Sequence, residues 1–83
     1  MESIIVEIVL GNTDEVVEFM LPAHITVKAL IPDIIRLIEQ VKLQVAFDKD
    51  CVVLFDTEQE VTLKEDWTLA QNGIKDGSRM IIL

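Results

Sequence analysis

Between residues 27 and 41 the aliphatic side chains recur at the spacing of an α-helix, and this stretch limits what the rest of the chain can be. Placed about 100° apart, Val27, Leu30, Ile31, Ile34, Ile35, Leu37, Ile38 and Val41 share one arc of roughly 160°. Lys28, Ala29, Asp33, Arg36, Glu39 and Gln40 fill the remainder. A helix so one-sided is stable only when another layer covers its apolar stripe. Thr26 is placed to cap the first turn, and Ile25 and Leu30 have the spacing of a hydrophobic staple. Pro32 falls inside the pattern, where it lacks the N–H that would bond one turn back. The expectation is a helix over about 27–42 with an irregular first turn.

The covering layer reads as strands, because the apolar runs outside this helix are short and rich in β-branched residues. Residues 4–10 (IIVEIVL) place Ile4, Val6, Ile8 and Leu10 on one face, and Ile5, Glu7 and Val9 on the other. Gly11-Asn12-Thr13-Asp14 is turn chemistry, since Gly and Asn tolerate positive φ. Residues 15–21 return with Val17, Phe19 and Leu21 inward, and Pro22 ends that strand. After the helix, residues 43–50 connect to a third strand at 51–55 (CVVLF). Asp56 to Gln59 turn the chain into a short strand, Val61–Leu63. Thr68 to Asn72 reads as one helical turn with Gly73 as its left-handed stop. Asp76-Gly77 turns into a last strand over 78–83. The order ββαββ, helical turn, β predicts an α+β fold in which one helix packs on one face of a mixed sheet of about five strands. Right-handed crossover places the last strand beside the first, which is a β-grasp. Eighty-three residues support a single domain, 1–83, with one modest core.

Composition then removes several function classes. Fifteen acids against seven bases, a net charge of −8, argue against nucleic acid, which needs clustered Lys and Arg. The same charge repels an anionic leaflet, and no apolar run has the ~18 residues needed to span a bilayer, so membrane insertion is not expected. Met1-Glu2-Ser3 does not read as a signal peptide, and the lone Cys51 fits a reducing, cytoplasmic setting. Cys51 opens an apolar strand as a small hydrophobe, and His24 reads as a solvated or backbone-bonded imidazole. No nucleophile–base pairing, metal or cofactor follows from such a set, so the expectation is a non-enzyme. Asp48, Asp50, Asp56, Glu58, Glu60, Glu65 and Asp66 crowd the 48–66 segment without the spacing or glycine of an EF-hand. They read as a solvated loop edge, or as a docking surface for a basic partner.

The outward face of the sheet carries more information. By strand parity it holds Ile5, Val9, Val16, Met20, Leu54, Ile81 and Leu83, interspersed with Glu7, Glu18 and Arg79. The helix covers only the other face, so these aliphatics face water. They read either as scattered surface aliphatics, which are ordinary, or as an interface, since neighbouring first, third and fifth strands make Ile5, Leu54 and Ile81 contiguous. Leu54 exchanges roles with Val53 if the third strand has the opposite phase. Ile5, Val9, Leu54, Ile81 and Leu83 are the expected partner-binding residues, and Trp67 is either a lid on the core edge or an exposed anchor.

These residues resemble a family. Thr68-Leu69, then Asn72-Gly73-Ile74-Lys75-Asp76-Gly77-Ser78-Arg79-Met80-Ile81-Ile82-Leu83, is similar to the ending of ubiquitin-like domains. Leu21-Pro22-Ala23-His24-Ile25-Thr26-Val27-Lys28-Ala29-Leu30-Ile31-Pro32 resembles the approach to the helix in the YukD/EsaB proteins of bacterial type VII secretion, and in the YukD-like domain of type VII membrane subunits. The resemblance implies a cytosolic accessory or regulatory protein of a Gram-positive secretion system that exports WXG-motif substrates. Such a protein docks on components of the secretion machine at the membrane periphery, with a second copy of the chain as another candidate partner. One rival is the same domain excised from a membrane subunit. Another is a sulfur carrier or protein modifier, which is disfavoured because the sequence shows no terminal Gly-Gly.

Overall fold

The computed structural model of the protein describes residues 2–11, 13–41 and 52–83. Strands β1 (Ser3–Leu10) and β2 (Val16–Pro22) form an antiparallel hairpin, and helix α1 (Val27–Val41) follows. Strands β3 (Leu54–Asp56), β4 (Val61–Thr62) and β5 (Arg79–Ile82) come after it. The five make one mixed sheet in the order β2-β1-β5-β3-β4, with β5 parallel to β1 and antiparallel to β3. The expected placement of the last strand beside the first therefore holds.

Strand alternation separates the two faces as anticipated. Ile4, Val6, Ile8 and Leu10 of β1 are buried, as are Phe19 and Leu21 of β2 and Met80 and Ile82 of β5. They share one cluster with Val27, Leu30, Ile31, Ile34, Ile35 and Ile38 of α1, and Val17 packs against it half-buried. The helix face is narrower than the sequence arc. Leu37, at the rim of the arc, is 42% exposed, and Val41, in the last turn, is 66% exposed.

The start of α1 is held from outside the helix. The Thr26 carbonyl accepts the Ala29 and Leu30 amides, each at 3.1 Å, and the Thr26 Oγ1 accepts Ala29 N at 3.3 Å. The amides of Val27 and Lys28 have no partner within a helix. They donate instead to the carbonyls of Trp67 and Glu65, each at 2.9 Å. Pinned from outside in this way, the helix runs from Val27 to Val41 through Pro32, and its start carries the tighter three-residue bond from Ala29 N to the Thr26 carbonyl beside the regular one from Leu30 N.

The turns follow their residues with one exchange. Among the described residues of the first hairpin turn, positive φ falls on Asp14, at 58°, and not on Gly11. Gly11 serves a different need, because a Cβ there would sit 2.5 Å from Leu83 Cδ2 and 3.0 Å from the Ile82 carbonyl oxygen. Thr68 and Gln71 form a reciprocal capping box: Gln71 N donates to Thr68 Oγ1 at 3.1 Å, and Thr68 N to Gln71 Oε1 at 2.9 Å. Gly73, at φ 81°, stops that turn, and Ile74 N closes it on the Leu69 carbonyl at 3.0 Å.

The third strand departs most from expectation. It was placed at 51–55 and runs over Leu54–Asp56, although Val53 and Leu83 extend the ladder by exchanging both backbone bonds at 3.1 and 3.0 Å. Its phase is the reverse of the one first assigned: Leu54 is 1% exposed and belongs to the core, while Val53 and Phe55 point to the outer face. Asp56 is buried too, at 2% exposure, and was wrongly grouped with the solvated acids. Its carboxylate accepts Glu58 N at 3.0 Å and Gln59 Nε2 at 2.7 Å, so it folds the turn into β4. The connection over 43–50 with Asp48 and Asp50, the helix end at 42 and Cys51 lie outside the described residues.

Candidate protein-binding face

Each strand of the sheet sends alternate side chains away from α1, and the pairing registers arrange these into rows crossing the strands. Val16 faces Val9, Val9 faces Ile81, and Ile81 faces Phe55. This gives an apolar row four strands wide in which Val16 is exposed and the other three are half-buried. Leu83 and Val53 extend it towards one end of the sheet, and Leu83 is exposed. The absent side chain at Gly11 is what lets Leu83 lie this close to β1.

The next row is charged. Glu18 faces Glu7, and Glu7 faces Arg79. Two carboxylates directly opposite one another repel, and Arg79 Nη2 relieves this by reaching Glu7 Oε2 at 3.2 Å. Beyond it Ile5 faces Met20, both exposed, and Asp76 Oδ1 accepts Ile5 N at 2.7 Å. Two apolar zones are thus separated by a charged row.

This arrangement redraws the expected patch. Val9, Ile81 and Leu83 come together. Ile5 stays on the same face but lies about 13 Å along β1 from the residue that Ile81 contacts. It is not beside Ile81, because the parallel register pairs Ile81 with Val9. Leu54 drops out, being in the core, and Phe55 takes its place. The sequence reading leaves the opposite phase open with Val53 as the replacement, not Phe55, and three residues of strand are too few to fix a phase from sequence.

The remaining candidates have plain surroundings. His24 is exposed and its Nε2 lies 3.2 Å from Glu2 Oε1. Among the described residues, no group of three or more His, Cys, Asp or Glu side chains is placed to hold a metal ion. No described helix is long and apolar enough to cross a membrane. Trp67 is 43% exposed, with Lys64 Nζ 4.1 Å from its ring centroid, while its carbonyl holds the helix start.

Comparison with known proteins places this architecture. The structure is similar to the ubiquitin-like domain of the Mycobacterium tuberculosis type VII secretion system protein ECCD1. The TM-score is 0.78 at 22% identity, over 100% of this chain and 99% of that one. It is similar to the EccD5 ubiquitin-like domain from Mycobacterium xenopi, with a TM-score of 0.83 at 18% identity over 100% and 94% of the two chains. A chain of the ESX-5 inner membrane complex matches with a TM-score of 0.80 at 12% identity, over 100% of this chain and 21% of that one. These likenesses establish the ubiquitin-like fold. Comparison with the curated proteins yields no match. Residues 3–82 match the family described as WXG100 protein secretion system (Wss), protein YukD, and the chain therefore belongs to the YukD family.

Proposed function

We propose that this protein is a non-catalytic, non-conjugating accessory or regulatory component of a Gram-positive type VII (WXG100) secretion system. It acts in the cytoplasm by binding a protein of the secretion machine through the helix-free face of its sheet. The observation that carries this reading is the row Val16–Val9–Ile81–Phe55, continued by Leu83, which leaves aliphatic and aromatic surface in water on a chain of net charge −8. Contiguous apolar surface of this kind is characteristic of interfaces. The charged row beside it would set orientation and not strength, because exposed ion pairs contribute little.

The test is co-purification with the cytosolic parts of the secretion machine, expressed together with the protein, alongside export of a WXG100 substrate. Val16→Asp and Leu83→Asp alter exposed positions, so each should fold normally yet lose co-purification and export, since the carboxylate would be buried unpaired. Retained co-purification by both folded variants would remove the face from the mechanism. Covalent adducts of the native protein would overturn the non-conjugating reading.

A second reading is favoured by the full-length likeness to the EccD ubiquitin-like domains: the chain is the corresponding domain of a membrane subunit. A coding frame continuing past Leu83 into apolar helices would decide for it. The same sheet face would then bind within the membrane complex.

A further inference from the structure

The second surface of interest lies at the β4 edge of the sheet, where Thr62 faces Phe55 at the end of the apolar row. In an antiparallel pair, alternate residues direct their N–H and C=O to the partner strand. Leu63 N donates to the Leu54 carbonyl at 2.8 Å, so Val61 and Leu63 face β3 and the backbone of Thr62 points outward. The next outward residue, Lys64, is already satisfied. Its N–H donates to Asn72 Oδ1 at 2.9 Å, and its carbonyl accepts Asn72 Nδ2 at 3.1 Å. The Asn72 carboxamide thus stands where a sixth strand would begin. Among the described residues nothing does the same for Thr62.

A groove of about 310 Å³ opens at that position, walled by Val61, Thr62, Lys64, Trp67 and Gln71. Val61 and Trp67 are both exposed. Glu58, Glu60, Glu65 and Asp66 flank β4 in sequence, all exposed, and none of the four enters an ion pair among the described residues, while Lys64 of the groove wall holds its Nζ over the Trp67 ring. The surface therefore combines an unpaired backbone donor and acceptor, an apolar wall and a surplus of negative charge.

We propose that this groove binds an extended, basic peptide segment of a partner protein. The segment pairs with the backbone of Thr62 as a short added strand and seats an apolar side chain against Trp67 and Val61. Backbone pairing supplies affinity and pocket contacts supply selectivity. The four carboxylates select lysine- and arginine-rich segments and speed encounter. Acidic segments and a second copy of this chain, at −8, are repelled.

The test uses an alternating lysine–valine peptide, its glutamate–valine counterpart, and backbone amide NMR of the whole chain. Thr62→Pro removes the outward N–H without touching the β3 pairing, and proline is tolerated at such an edge position. Trp67→Ala trims the wall and keeps the carbonyl bond to Val27. The expected result is that the lysine–valine peptide protects the Thr62 amide from exchange and that the glutamate–valine peptide does not bind. Thr62→Pro and Trp67→Ala should each weaken binding by about tenfold or more. Val16→Asp, on β2 at the opposite edge of the sheet, should leave it unchanged, which separates this proposal from the sheet-face reading. Equal binding of both peptides, an unprotected Thr62 amide, or undiminished binding by folded Thr62→Pro overturns it. So does a concentration-dependent dimer of the free protein that Thr62→Pro abolishes, which would make the occupant a second copy.

Discussion

Ile8 and Val9 are consecutive residues of β1 with nearly the same chemistry, yet one is fully buried beneath α1 and the other sits half-buried on the far face. The same contrast repeats at Met80 and Ile81 and at Leu54 and Phe55. Within these pairs side-chain type does not separate the two faces; the presence of the helix does. Aliphatic residues on the inner face are explained by folding, because their area leaves water when α1 docks. Those in the outer row gain much less from folding. Under the proposed function they are covered by a partner protein.

The comparison is broken most directly at its strongest point. Ile8→Ala should cost about 2–5 kcal/mol in urea denaturation, by lost transfer energy and a cavity that cannot collapse. A cost under about 1 kcal/mol would mean the inner face is no better packed than the outer. Asp56→Ala, at the buried turn into β4, should lose about 1–3 kcal/mol, read as a lowered midpoint, since two donors lose their acceptor. Ile81→Ala, half-buried on the outer row, should cost about 1 kcal/mol by thermal unfolding. A loss as large as that of Ile8→Ala would show the row to be a second core. The smallest effect is expected at the exposed Val16→Thr, within about 0.5 kcal/mol of the parent by the same measurement.

Most of the fold was legible because its signals are periodic or chemical. The α1 stripe, the alternation of β1 and β2, the Thr26 cap and the Gly73 stop each have a local cause that sequence displays. What was misread depends on distance. Leu37 and Val41 carry the right residue type for the helix stripe, but the sheet beneath does not extend far enough to cover them. The phase of β3 turns on Asp56, whose inward carboxylate organises a turn and forces Leu54 in with it. From sequence, Asp56 looks like one more acid in an acidic stretch. The apolar residues on the outer face of β1 and β5 were legible, but their neighbours were not, because the parallel register between β1 and β5 pairs Ile81 with Val9, and Gly77 N meets the Ile5 carbonyl at 2.8 Å instead. The β4 edge went unnoticed, since the Asn72 side chain that closes part of it is an ordinary turn residue in the sequence.

The backbone bonds from Val27 and Lys28 to Trp67 and Glu65 carry a consequence for how the molecule opens. Ala70 N adds a third link, to the Ala23 carbonyl at 3.0 Å, and Thr26 bridges Thr68. Residues 65–70 lack strand or helix of their own, so in hydrogen exchange a segment of this kind would ordinarily open first and alone. Here it cannot detach without unpinning the first turn of α1. The amides of Val27, Lys28 and Ala70 should therefore exchange as one cooperative unit, with a common opening energy near that of the helix. Slow motion at one end of the chain's surface is thereby tied to the stability of its only long helix among the described residues.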